Sequence, residues 1–436
     1  MIRCGFYERV ITPPLGTDIP GGWCERPSTG VLDELYIRAF VTDDGQRQTA
    51  LIVADAVELL THQADAIIRR VGELTGITPD CVSFSGNHNH WAIPSGEPYG
   101  SREDVPYMDV FCRIAADCVF LALQRLQPCQ LAFGVGRVEG ISFNRDQVLS
   151  DGTVCTNAKK NLDVVRTWSD NDPELPVLFV RDENGKPLGA FVCFACHLCC
   201  VGGNKYSGDF SGEMARILKE TYGPDFVCIY TAGASGDINH IDRLGGTKQN
   251  YKDMGAKMAA ETIRVVNEEA KPVSGDTVAG IRGFVRCANR RATAEELETA
   301  KKIVETGYRD PNVMLGTLSA KLLLDYEEKM AAKDQTEEDV PVQVSLVGDV
   351  FIVALPGEPY HQFGMAIKKG CPTRKCVIST LSHGMFGYIP MPELLGTSIY
   401  PAALCAGSRF AGDTGERIVN KVLQLMTELL RKDEEV

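Results

Sequence analysis

The segment 193–200, CFACHLCC, gathers four cysteines and one histidine into eight positions. Its opening C-x-x-C-H is a haem-attachment spacing, and cysteine with histidine at this density also suits a zinc or redox site. Two other stretches carry residues fit for chemistry. His88 and His90 stand two apart in SGNHNHWAIP. On one extended strand they would face the same side, where a metal, or a metal and its substrate, could use both. Glu358 lies in PGEP, between a glycine and a proline that would hold its carboxylate in one place. Two histidines and a carboxylate with one open position make a catalytic zinc set. Taken singly, an H-x-H is as readily a pair of ordinary surface or core imidazoles, and Glu358 an ordinary loop carboxylate.

The elements around these residues narrow the choice. LGAFVCFACHLCC is an apolar run that reads as a buried strand running up to a loop. A haem motif would more naturally open a helix, and its attachment follows export. A zinc knuckle would need a second, separate C-x-x-C, and the other one here, Cys196–Cys199, shares Cys196 with the first. The sixteen cysteines are about 4% of the chain, below the roughly 8–10% of disulfide scaffolds, and sit in apolar segments. They are expected to be reduced packing residues, which leaves His197 to carry the chemistry of its segment.

Residues 34–60 read as two strands around a DDG turn, followed by a helix, HQADAIIRRVGELTG, and a strand that ends in NHNH. PLGAFVCFACH, GEMARILKETYG and DFVCIYTAGASGD give strand, helix and strand in the same order. VQVSLVGDVFIVALPGEPY is a hairpin, HQFGMAIKKG a helix and KCVISTLSHGMFGYIP another strand with a polar end. An amphipathic helix closes the chain, and residues 293–335 form a helical excursion from the body. No repeat or low-complexity tract is evident. Four strands thus end in polar clusters, at 87–90, 196–197, 357–358 and 383–388. In open α/β sheets the ligand site lies beyond the carboxyl ends of the strands. The expected fold is α/β, a mixed sheet body with flanking helices, with these four ends on one face.

At 436 residues the chain exceeds the usual ceiling for one hydrophobic core, so two closely packed lobes are expected. With 44% hydrophobic and 24% charged residues it falls in the soluble globular class. A net charge of −13 disfavours nucleic acid and anionic membranes as partners. No apolar run approaches the roughly eighteen residues of a membrane span, and MIRCGFYERVITPPLG lacks a signal-peptide apolar region. The expectation is a cytoplasmic protein without stable membrane association, acting on a small molecule. The sequence leaves its oligomeric state open.

Seven segments in order resemble the neutral ceramidases, zinc amidohydrolases that cleave N-acyl bonds. ERVITPPLG is similar to their D-I-T-P-P-x-G, SGNHNHWAIP to T-H-T-H-S-G-P, FNRD to N-R-S, and ACHLCC to A-C-H-P-T. ASGDINH matches G-D-V-S-P-N in part, VALPGEPY resembles V-P-G-E-F, and GYIPMPELLGTSIY resembles Y-V-T-T-P-E-E-Y with the Y-E-G that follows. The resemblance runs from residue 6 to about 410 and implies one ceramidase-like catalytic domain, residues 1–436. It implies Zn2+ held by His88, His197, Glu358 and Tyr388, with His90 contacting substrate. Arg145 and Tyr400 would contact the reacting carbonyl. Spacing around the two tyrosines differs from the family's, so whether Tyr388 or Tyr400 is the ligand stays open.

Two departures shape the expected reaction. The family's serine falls on Asn239 and its proline on His240, with Ser235 out of register, so a serine nucleophile is not expected. The chain ends where ceramidases continue into an immunoglobulin-like C-terminal domain, so a soluble substrate is expected in place of membrane ceramide. What survives is hydrolysis of an amide by a zinc-activated water. His90 would relay protons, and Arg145, Tyr400 and Asn239 would stabilise the oxyanion. Asp209 and Asp237 read either as acceptors behind the ligand histidines or as loop and cap carboxylates. An ester, lactone or sugar derivative as substrate, a non-catalytic binding protein and a cysteine-centred redox or haem protein are the competing readings.

Overall fold

One arrangement of strands and helices occurs three times along the chain. The computed structural model describes residues 1–22, 24–96, 100–159, 162–307, 316–333, 336–397 and 399–434. The first module comprises β1 (Arg3–Val10), β2 (Tyr36–Asp43), β3 (Gln48–Ala54), α1 (Thr61–Thr75), β4 (Val82–Gly86) and α2 (Val105–Leu123). The second repeats it as β5 (Gln127–Arg137), β6 (Glu174–Asp182), β7 (Pro187–Phe194), α3 (Asp209–Tyr222), β8 (Val227–Ala232) and α4 (Tyr251–Arg264). The third begins with β9 (Val278–Ala288) and inserts the helices α5 (Ala294–Thr306) and α6 (Thr317–Lys333). It continues with β10 (Glu337–Val347), β11 (Val350–Ala354), α7 (His361–Gly370), β12 (Cys376–Ser379) and α8 (Thr414–Glu434).

Within each module the first three strands pair antiparallel and the third pairs parallel with the fourth. Parallel neighbours need a crossover, and α1, α3 and α7 supply it. The first two modules join edge to edge through β1 and β5, Arg3 opposite Pro128 and Cys4 opposite Gln127. The result is one long sheet in the order β8-β7-β6-β5-β1-β2-β3-β4, and the third module forms a second sheet, β9-β10-β11-β12.

The sheets stack, and side-chain alternation shows why their strands read as unbroken apolar runs. On β2, Ile37, Ala39 and Val41 face the layer shared with α1 and α2, while Phe40 faces the second sheet. On β7, Ala190, Val192 and Phe194 face α3 and α4, while Phe191 and Cys193 meet the layer holding Val344, Phe351 and Ile352. Both faces are covered, as for most parallel strands. The far side of the second sheet is closed by α8, through Val422, Leu425, Met426 and Leu429. The length expected to need two lobes is accommodated by two stacked sheets with helices outside them. The helical excursion is seen as α5 and α6, fixed to the body by the Arg291–Glu327 ion pair at 2.8 Å and by Tyr326 donating to the Arg290 carbonyl. Its residues 308–315 and 334–335 lie outside the described residues. Among those described, no helix is long and apolar enough to cross a membrane.

Candidate active site

The chain leaving β4 does not stay extended. The strand ends at Gly86, and His88 takes φ +66°, a left-handed conformation that non-glycine residues adopt only where the surroundings hold it. Here Asn87 and Asn89 donate their backbone N–H to the Ala54 and Ala56 carbonyls, and His90 N–H bonds the Leu198 carbonyl. This kink, rather than alternation along a strand, brings the His88 and His90 rings to 4.9 Å between centroids. His197 follows β7 by three residues, and its ring is 4.3 Å from that of His88.

Each ring is oriented through Nδ1 by a backbone carbonyl: Val57 for His88 at 3.2 Å, Gly21 for His90 at 2.9 Å and Ile238 for His197 at 3.0 Å. A carbonyl only accepts, so Nδ1 carries the proton and Nε2 presents a lone pair. None of the three Nε2 atoms has a hydrogen-bond partner. Ring nitrogens of all three histidines lie within 4.8 Å of one another. Glu358 Oε2 approaches His88 Nε2 to 3.1 Å and His197 Nε2 to 3.2 Å, without hydrogen-bond geometry. Burial foremost, then Arg145 and His88, depresses His197 to about 3. Burial also takes His90 well below its ordinary value, helped by His88 and His197. The lone pairs of the His90 and His197 imidazoles and a carboxylate aimed at one point repel one another unless a cation lies between them. The donor set therefore fits a metal ion.

Glu358 owes its place to two glycines. Gly357 (φ +54°) and Gly387 (φ +72°) let Glu358–Pro359 pair in parallel with Tyr388–Ile389. A Cβ on Gly357 would collide with the Gly387 carbonyl, and one on Gly387 with that of Gly407. Gly357→Ala is expected to lower stability by about 1–3 kcal/mol and to loosen Glu358, read as a lower thermal midpoint and weaker metal retention.

The same register sets Tyr388 beside Glu358, and the Tyr388 hydroxyl is 2.8 Å from that of Tyr400. The Arg145 guanidinium stands 5.2 Å from the Tyr388 ring centroid and 5.0 Å from that of Tyr400, and donates to the Gly236 carbonyl. Burial, foremost, pushes Tyr400 up to about 12 and raises Tyr388 as well. Asn239 donates through Nδ2 to Asn157 Oδ1 at 2.8 Å and accepts from Ile241 N–H. All eight residues expected from the sequence line one cavity of about 500 Å3.

Other expectations resolve differently. Asp237 does not support a histidine of the cluster. Its carboxylate takes His361 Nδ1 at 2.7 Å and Asn144 Nδ2 at 2.8 Å. Asp209 accepts from the backbone of Cys200 and Phe210. Backbone carbonyls do the work expected of these carboxylates. Ser235 is buried outside the cavity lining. All sixteen cysteines are free thiols, and Cys193, Cys196 and Cys200 lie within apolar clusters. Cys199 is the exception among the four: it lines the cavity, its Sγ 3.5 Å from His240 Nδ1. None of the four belongs to the histidine cluster. Replacing Cys193 and Cys196 together by Ala is expected to leave metal content near wild type while lowering stability. Metal-free protein that remains folded would count against the histidine site.

Sequence reasoning passed over Glu58, Asn157, Arg243 and Lys248, which also line the cavity. The available signal was the density of polar residues after the SGD turn, in INHIDRLGGTK. Comparison with known proteins adds the fold. No protein-family model matches the chain, and no curated protein matches its sequence. A ceramidase solved in complex with C2 matches over 99% of this chain and 75% of its own, at 16% identity and TM-score 0.74. Neutral ceramidase from Pseudomonas aeruginosa matches over the same shares, at 17% identity and TM-score 0.73. The chain has the mixed α/β fold of neutral ceramidase.

Proposed function

We propose that this protein is a zinc-dependent hydrolase that cleaves an N-acyl amide bond in a soluble small molecule. The observation that carries the reading is the convergence of His88 Nε2, His197 Nε2 and Glu358 Oε2, with no hydrogen bond made among them, inside a cavity also lined by Arg145 and Tyr400. His88, His197 and Glu358 hold the metal. Tyr388, paired in register with Glu358, is the fourth protein ligand, and Tyr400 supports it by hydrogen bond. When bound, zinc supplies a water acidic enough to attack near neutral pH and polarises the scissile carbonyl.

The remaining residues orient the substrate and move protons. His90 is neutral, its Nδ1 is tied to Gly21 and its Nε2 is open. It receives a proton from the attacking water and returns it to the departing nitrogen. Arg145 and Tyr400 present positive charge and a hydroxyl donor to the oxygen on which negative charge develops. Asn239 has one amide N–H beyond the bond to Asn157. Asn239→Ala is expected to slow turnover by about tenfold to a hundredfold without changing metal content. Ser235→Ala should keep most of both, and an acyl-enzyme trapped on Ser235 would overturn attack by water. Burial pushes the Cys199 thiol up to about 12, away from the reactive thiolate form.

Elemental analysis of the purified protein, followed by a screen of N-acyl compounds with and without chelator, tests the reading. Zinc near one equivalent and chelator-sensitive amide hydrolysis are expected. Amide hydrolysis by metal-free protein would overturn it.

A further inference from the structure

Three basic residues of the cavity have no part in the chemistry just described: His240, Arg243 and Lys248. They lie on or next to a tight hairpin in which Ile241–Asp242 pairs antiparallel with Thr247–Lys248, and Asp242 closes the turn by accepting from Gly245 N–H at 2.7 Å. Arg243 is half-buried and its Nε lacks a partner. Among the described residues, neither Arg243 nor Lys248 has an ion-pair partner within 4 Å, although the chain carries a net charge of −13. Both charges act on the buried His240 ring.

His240 also differs from the other three cavity histidines in what its ring offers. Their Nδ1 atoms donate to carbonyls, which leaves Nε2 a lone pair. The Nδ1 of His240 faces the Cys199 thiol at 3.5 Å, and a thiol can donate to it. Nε2 then carries the hydrogen, and it is buried with no acceptor in reach. A buried ring N–H and a guanidinium Nε lack acceptors, and the exposed Lys248 ammonium on the same hairpin has no ion-pair partner. An anion is the ligand that satisfies them. The carboxylates that could neutralise them belong elsewhere in the cavity. Glu358 faces His88 and His197, and neither it nor Glu58 forms an ion pair with Arg243 or Lys248 within 4 Å.

We propose that His240, Arg243 and Lys248 form a specificity subsite for an anionic oxygen group, carboxylate or phosphate, on the substrate of the hydrolytic site. The inference rests on the amide-hydrolase reading for what is cleaved, but not for what is bound. The substrate class is then an N-acyl compound bearing an acid, such as an N-acyl amino acid or an N-acyl phosphoethanolamine. The subsite selects substrate through KM and takes no part in bond breaking.

Matched pairs test it: N-hexanoylglycine against N-hexanoylglycinamide, and N-hexanoyl-O-phosphoethanolamine against N-hexanoylethanolamine. Each is assayed with the zinc-loaded wild type and with the Arg243→Gln/Lys248→Gln double variant. One anionic member should show a KM lower than its neutral partner by roughly tenfold or more, and the pair that shows it identifies carboxylate or phosphate. In the double variant that gap should close while kcat for the neutral compound is unchanged and the thermal midpoint holds. Equal KM values within both pairs for wild type would overturn the subsite and leave the hydrolase standing. If nothing is hydrolysed, calorimetric titration with N-hexanoylglycine and with inorganic phosphate decides. Binding to wild type that the double variant loses supports the subsite while the hydrolase reading falls, and no binding to wild type overturns the subsite.

Discussion

His197→Ala is expected to remove bound zinc and catalytic turnover together, with kcat/KM falling by about a thousandfold or more, the several kcal/mol that a catalytic metal supplies. The side chain is buried, its ring is fixed by the Ile238 carbonyl, and its Nε2 lies 3.2 Å from Glu358 Oε2. Alanine leaves His88, Glu358 and Tyr388 short of the fourth protein donor. His88→Ala and Glu358→Ala should behave alike. His90→Ala should separate the two readouts, keeping zinc while turnover falls by roughly a hundredfold to ten-thousandfold, as for a lost proton-transfer group. Metal content by elemental analysis and steady-state kinetics on the same preparations check the set. Full zinc in the His197 variant would sink the assignment, and loss of zinc from the His90 variant would move His90 among the ligands.

Arg145→Gln carries the second large effect. The guanidinium is buried against the faces of Tyr388 and Tyr400 and stays charged. Burial would discharge it, but the two phenols and Glu358 hold its pKa above the ordinary value. A preorganised cation in a site shielded from water is worth far more to a developing oxyanion than to a neutral carbonyl. The expected result is a fall in kcat of about a hundredfold to a thousandfold with zinc retained. A raised KM at unchanged kcat would instead mean that Arg145 binds the ground state. The thermal midpoint of the variant guards against simple misfolding, because the same side chain ties the Gly236 carbonyl.

Much of this site could be read from the chain because its side chains follow strands with unmistakable apolar runs. CFACH and FIVALPGEP place His197 and Glu358 at strand ends, and the structure brings both into one cavity. The relation between His88 and His90 was legible as proximity but not as geometry. A left-handed turn at a histidine leaves no periodic signature. The supports of the three rings could not be read at all, because they are backbone carbonyls and any residue type supplies one. Asp237 looked suited to that task, yet its carboxylate holds His361 and Asn144. The order strand, helix, strand was visible three times. Shared topology without shared residues hid the fact that these are three copies of one module. The hairpin bearing Arg243 and Lys248 was overlooked because its strands are two residues long, too short for any alternation to show.

The threefold construction has a consequence for how the protein holds together. His88 and His90 come from the first module, His197 from the second, and Glu358 and Tyr388 from the third. The first two modules join through short pairings, Arg3 with Pro128 and Cys4 with Gln127 at the sheet edge and, separately, Gly30–Val31 with Lys205–Tyr206. An ion held by all three, as proposed, would be a rivet through the whole molecule, and its affinity would also be coupling energy between parts that pack chiefly through their sheets. Partial opening of any one module must release it. Loading should therefore fuse separate local openings into a single event, seen in hydrogen exchange as protection rising together in β4, β7 and β11.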